Sequence, residues 1–141
     1  MDTGTAGTFD QIEIGQTDEF HHQVTESDLD AFCNLTGDDN PLHMDVEYAS
    51  KTNFKERVVH GMLTASFIST MIGTKIPGKG SLLSEQHLRF LVPVRIGDMI
   101  RVWVKVKHKS QAEQIVVLKT VIYNQHNKKV VDGEAKVKVI S

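Results

Sequence analysis

Nine consecutive residues, Gly37-Asp38-Asp39-Asn40-Pro41-Leu42-His43-Met44-Asp45, bring carboxylates, an amide and an imidazole together in what reads as irregular backbone. Asp38 and His43 are five apart, so a straight helix would not set them cleanly on one face. A turn constrained by Pro41 can bring them together instead. A carboxylate and an imidazole within reach of one water can divide proton abstraction from proton delivery. The same residue types also build plain turns, in which Asp and Asn bond their own backbone. Composition leaves both readings open.

A second group, Val58-Val59-His60-Gly61-Met62, stands at the start of a helical pattern. Glycine in a first helical turn removes the side chain that would keep a ligand from the backbone N–H groups. A carbonyl or developing oxyanion could then rest on the helix N-terminus, where free donors and the dipole favour negative charge. Alternatively, Gly61 only permits tight packing there. His60 reads as a structural residue that caps or bonds locally, and of His21 and His22 at least one should face solvent. A zinc site from His43, Asp45 and His60 lacks the usual ligand spacing. Cys33 lies on an apolar stripe, with no activating neighbour to make it a nucleophile.

The elements that must position these residues fall into three zones. Phe20 to Thr25 can be extended, and Thr25 with Asp28 resembles a capping box opening a helix whose stripe is Leu29, Phe32, Cys33 and Leu35. Gly37 and the run to Pro41 end it. His60 to Ile76 is the longest helical candidate, with Leu63, Phe67 and Met71 recurring every four residues beside Ile68 and Ile72. It is apolar over much of its circumference and should be wrapped by other elements. Strands follow. Leu82 to Val94 is interrupted near Pro93; Ile100, Val102, Val104 and Val106 alternate with Arg101, Trp103, Lys105 and Lys107. Ile115 to Tyr123 and Val130 to Ile140 flank a hairpin turn at Asn124–Lys128, and Ala135, Val137 and Val139 alternate with Glu134, Lys136 and Lys138. The fold class is α+β, an antiparallel sheet curling around a long helix. Its edges favour pairing of two subunits.

Bulk properties narrow the function. The 141 residues are one domain's worth, 1–141, with 40% hydrophobic and 24% charged residues, which argues against a disordered or fibrous chain. Sixteen Lys and Arg against eighteen Asp and Glu leave a net charge of −2, without the basic excess that holds a nucleic-acid backbone. One cysteine excludes an intrachain disulfide framework and fits a reducing, cytoplasmic setting. Met1 to Thr8 reads as a loose lead-in rather than a secretory or transit peptide. The stretch free of Asp, Glu, Lys and Arg, Val58 to Thr74, is too short and polar for a membrane span, so no membrane is expected.

Asp38-Asp39-Asn40-Pro41-Leu42-His43, then Ala49, then Val59-His60-Gly61-Met62-Leu63, resembles the MaoC-like family and, within it, the (R)-specific enoyl-CoA hydratases. The segments 76–81 and 90–98 are similar too, so the likeness runs from about Gly15 to Val139. The resemblance implies the hot-dog fold, dimerised as a double hot dog, and interconversion of trans-2-enoyl-CoA with (R)-3-hydroxyacyl-CoA without metal or redox cofactor. It makes Asp38 and His43 the catalytic pair holding water. Asn40 would brace the loop, the Gly61 N–H would polarise the thioester carbonyl, and Ser69 would help position the acyl region. Leu63, Met71 and Ile72 become candidates for the acyl tunnel, and Lys79, Arg89 and Arg95 for the CoA phosphates, against a default of solvated charge. Three alternatives stand beside this reading: a dehydratase acting on an acyl-carrier-protein thioester, a hot-dog thioesterase and a non-catalytic thioester-binding domain. Thioesterases of this architecture generally lack the Asp38/Asn40/His43 block.

Overall fold

A computed structural model describes residues 9–140, so the expected lead-in at 1–8 lies outside the described residues. Five strands form one antiparallel sheet in the order β1-β3-β4-β5-β2: β1 Thr17–Gln23, β2 Ser81–Phe90, β3 Met99–Ser110, β4 Ile115–Tyr123 and β5 Lys129–Val139. Among the described residues four α-helices precede β2: α1 Glu26–Thr36, α2 Pro41–Met44, α3 Val46–Ser50 and α4 Gly61–Thr74.

The alternation in β3 is realised in full. Ile100, Val102, Val104 and Val106 are buried, and β4 and β5 add Val116, Leu118, Ile122, Ala135 and Val137 to the same core. Side chains of successive strand residues point to opposite faces, so this row defines the inner face and leaves lysines on the outer one. Gly133 of β5 lies so close to β2 that a Cβ there would overlap the His87 carbonyl. Only a residue without a side chain lets these two strands pair at that point.

The α1 capping box forms as expected: the Asp28 N–H donates to Thr25 Oγ1 at 3.2 Å, and the Thr25 N–H donates to Asp28 Oδ2 at 2.9 Å. Its stripe is shorter than predicted. Leu29 is buried and Phe32 and Cys33 are partly buried, but Leu35, in the last turn before the Gly37 C-cap, is 85% exposed. His21 faces solvent, while His22 bonds Asp28 and packs on Phe67.

Helix α4 begins and ends inside the predicted span. His60 is its N-cap and Lys75 its C-cap. Leu63, Thr64, Ala65, Ile68, Met71 and Ile72 are buried against the sheet that curls around the helix, while Met62, Ser66, Ser69 and Thr70 are exposed on its remaining side. The strand expected to run to Val94 leaves the ladder at Phe90. Residues 91–95 do other work: the Val94 carbonyl accepts the Val59 N–H at 2.8 Å, and Arg95 bridges Val58. This fastens the backbone just ahead of His60 and Gly61. Among the described residues no helix is long and apolar enough to cross a membrane.

Candidate active site

The cluster at 37–45 is not irregular throughout. Asn40 caps α2, its Oδ1 accepting the Leu42 N–H at 3.0 Å, with Pro41 in the first helical position. Asp45 caps α3, accepting the Tyr48 N–H at 3.0 Å. Both sites therefore show the turn-type bonding that Asn and Asp favour, and Asn40 holds the loop. His43 stands on the single turn of α2. Asp38 lies in the exposed link before it, its Oδ1 accepting the Asn40 N–H at 3.3 Å and its own N–H donating to Thr36 Oγ1. Asp39 is exposed.

The His43 ring is half-buried and its Nδ1 lies 2.8 Å from the Val58 carbonyl. A carbonyl only accepts, so Nδ1 carries a proton, and the tautomer this selects has its lone pair at Nε2. No hydrogen bond joins this ring to the Asp38 carboxylate among the described residues. What joins their surroundings is His60. Its ring is 1% exposed, stacks on His43 with centroids 4.3 Å apart and on Phe32 at 4.8 Å, and donates from Nε2 to the Asp38 carbonyl at 3.0 Å. His60 therefore occupies the N-cap position of α4 without its side chain capping the helix: the partner of its ring is 22 residues away. Burial holds its pKa below the ordinary 6.5, with nearby His43 and Arg57 acting in the same direction and the Asp38 carbonyl and charge opposing.

With no side-chain cap from His60, the first turn of α4 keeps free N–H donors, as helix N-termini do. Gly61 lies there against Phe90: a Cβ would come 3.1 Å from two atoms of the ring, which is half-exposed. Beside this turn opens an apolar cavity of about 430 Å³. Ser69, Met62, Phe32, Leu83 and Leu88 line it. The tunnel candidates Leu63, Met71 and Ile72 do not; they are buried in the core, whereas Met62, Ser66 and Ser69 of the same helix face the cavity, across from Leu83 and Leu88 of β2. Phe32 lines the cavity and packs on His60, and Met62 of the first turn of α4 lines it too.

Other sequence candidates stand apart. Arg89 reaches Asp132 at 3.8 Å and Arg95 reaches Glu56 at 3.8 Å, while Lys79 is exposed. Cys33 is unpaired and partly buried. Among the described residues no group of three or more His, Cys, Asp or Glu side chains gathers as a metal site would need, so His43, Asp45 and His60 do not form one. One residue that sequence reasoning missed is Arg57. It is 7% exposed, with Nε on the His43 carbonyl and Nη1 on Glu26 at 2.9 Å. The available signal was its position at the border of the uncharged run that starts at Val58.

The chain is 40% identical over 131 residues to an (R)-specific enoyl-CoA hydratase of Rhodospirillum rubrum, covering 93% of this chain and 90% of that protein. It is 37% identical over 131 residues to a 3-hydroxybutyryl-CoA dehydratase of Methylorubrum extorquens, covering 93% and 83%. Its structure superposes on that of an unliganded R-hydratase from Pseudomonas aeruginosa with a TM-score of 0.90 at 41% identity, covering 94% of this chain and 85% of that one. The hot-dog fold expected from the resemblance is the fold observed. With the MaoC-like domain matched over residues 10–127, the chain belongs to the MaoC-like family.

Proposed function

We propose that this chain catalyses the (R)-specific hydration of trans-2-enoyl-CoA to (R)-3-hydroxyacyl-CoA and the reverse dehydration. The reading is supported by the buried His60, at the start of α4, which contacts both the His43 ring and the Asp38 carbonyl next to a first helical turn without a side-chain cap. Water adds its oxygen to C3 of the enoyl thioester, and the displaced π pair moves through C2 onto the thioester oxygen. The Gly61 N–H stabilises that oxygen; removing a single donor of this kind costs an enzyme about 3–4 kcal/mol. Asp38 and His43 hold the water, take its proton and return one to C2. Asn40 keeps the loop in register, and Ser69, on the cavity wall, positions the acyl chain.

The reaction needs no metal and no redox cofactor; coenzyme A enters only as part of the substrate. Two relatives named for CoA thioesters favour CoA over acyl carrier protein. The chain acts as one domain in the cytoplasm and as a homodimer. The homodimer is supported by β2, a free sheet edge that exposes Leu82, Leu83 and Phe90. Sedimentation at micromolar protein should give twice the chain mass.

The test uses crotonyl-CoA with chelator present. Enoyl absorbance falls, no free thiol appears, and chiral analysis gives the R product. Thiol release without a hydroxyacyl product identifies a thioesterase and ends this reading.

A further inference from the structure

We propose that Arg57 is a positioning residue for His43, acting through the backbone of α2. The inference rests on the proposed role of His43 and names what holds its ring. A helix of four residues does not sustain itself, since nucleating a turn costs more than one hydrogen bond returns. The orientation of a ring on α2 must therefore come from outside it. Two consecutive residues supply that. Arg57 donates from Nε to the His43 carbonyl at 2.5 Å, and the Val58 carbonyl accepts from the His43 ring at 2.8 Å. The Val58 N–H adds a long contact, 3.4 Å, to the Leu42 carbonyl.

Arg57 is held in turn. Nη1 pairs with Glu26 on the first turn of α1 at 2.9 Å, and Nη2 lies 3.8 Å from Met44 Sδ. A guanidinium stays charged at any pH a protein tolerates, and its planar fork fixes several partners at once. Buried as it is, this one ties α1, α2 and the strand-like residues 58–59 into one frame. Residue 43 is thus gripped at its carbonyl and at its ring by neighbours in sequence, so losing the first grip loosens the second. The α2 turn can then rotate, and Nδ1 no longer meets the Val58 carbonyl.

The experiment compares wild type with Arg57→Met, which keeps the packing volume and removes every donor. Two readouts are taken on protein shown to be folded by circular dichroism. In ¹⁵N-histidine NMR the His43 Nδ1–H exchanges at least about 10-fold faster in the variant. In crotonyl-CoA hydration kcat falls at least about 10-fold with KM within threefold, inside the hundredfold that a misplacement of about 1 Å can cost. Should Arg57→Met not fold, Arg57→Gln, which can serve only one of the two partners, is read in the same way. Unchanged exchange together with unchanged kcat overturns the proposal. Wild type that does not hydrate refutes the functional reading instead, and the NMR result then decides the positioning of His43 by itself.

Discussion

Strands β3, β4 and β5 hold one another through continuous backbone ladders and a row of buried Val, Ile, Leu and Ala, whereas residues 37–60 are held by isolated contacts, a few from the backbone and others from single side chains that reach distant carbonyls. In the sheet, losing one contact leaves many parallel ones. In the loop region, Arg57 and His60 each make a contact with no neighbour to replace it, on the carbonyls of His43 and Asp38. The sheet therefore carries stability, and the loops carry geometry. Charge follows the same division. On the outer sheet face Lys107 pairs with Glu134 and Lys119 with Asp132, with solvent close by, while beside the His43 ring Arg57 and His60 are buried.

Substitutions in the two regions should separate activity from stability. Asp38→Asn and His43→Ala are each expected to lower turnover at least about 100-fold, with the double variant little worse than the poorer single one. Their urea midpoints should stay near wild type, since neither side chain lies in the core. Near-normal turnover in either removes that residue from the chemistry. Leu118→Ala in β4 should do the reverse: a loss of about 2–5 kcal/mol in unfolding free energy, with kcat of the folded fraction unchanged. A large loss of kcat there would erase the division.

A pH titration sharpens it further. His60 is buried with its pKa depressed, so the folded state binds fewer protons than the unfolded chain below pH 6.5. Its contribution to stability is complete above that pH and is lost progressively as pH falls toward the folded-state pKa. His60→Gln keeps a donor for the Asp38 carbonyl but does not titrate, so urea midpoints between pH 6.5 and 5 should slope less steeply in the variant. An identical slope would show that His60 is not protonated on unfolding in that window. The smallest effect belongs to the outer face. Lys107 holds the Glu134 carboxyl below its ordinary pKa, but both side chains are well exposed, and Lys107→Met should change stability by no more than about 1 kcal/mol at moderate salt.

Wherever the physics is local and periodic, it could be read from residue order alone. Alternation in 100–106 determined which face of β3 is buried, Thr25 and Asp28 determined where α1 starts, and the Asp38/Asn40/His43 spacing marked the candidate site and its family. Burial on a helix with apolar residues all round depends instead on which neighbours arrive, so α4 sends Leu63, Met71 and Ile72 into the core and Ser69 to the cavity only once the sheet is in place. The same holds for long-range polar partners. Nothing near Arg57 or His60 in the chain announces that their donors end on the carbonyls of His43 and Asp38, 14 and 22 residues away. A buried donor takes whichever acceptor the folded backbone brings within reach, and that choice is made in three dimensions.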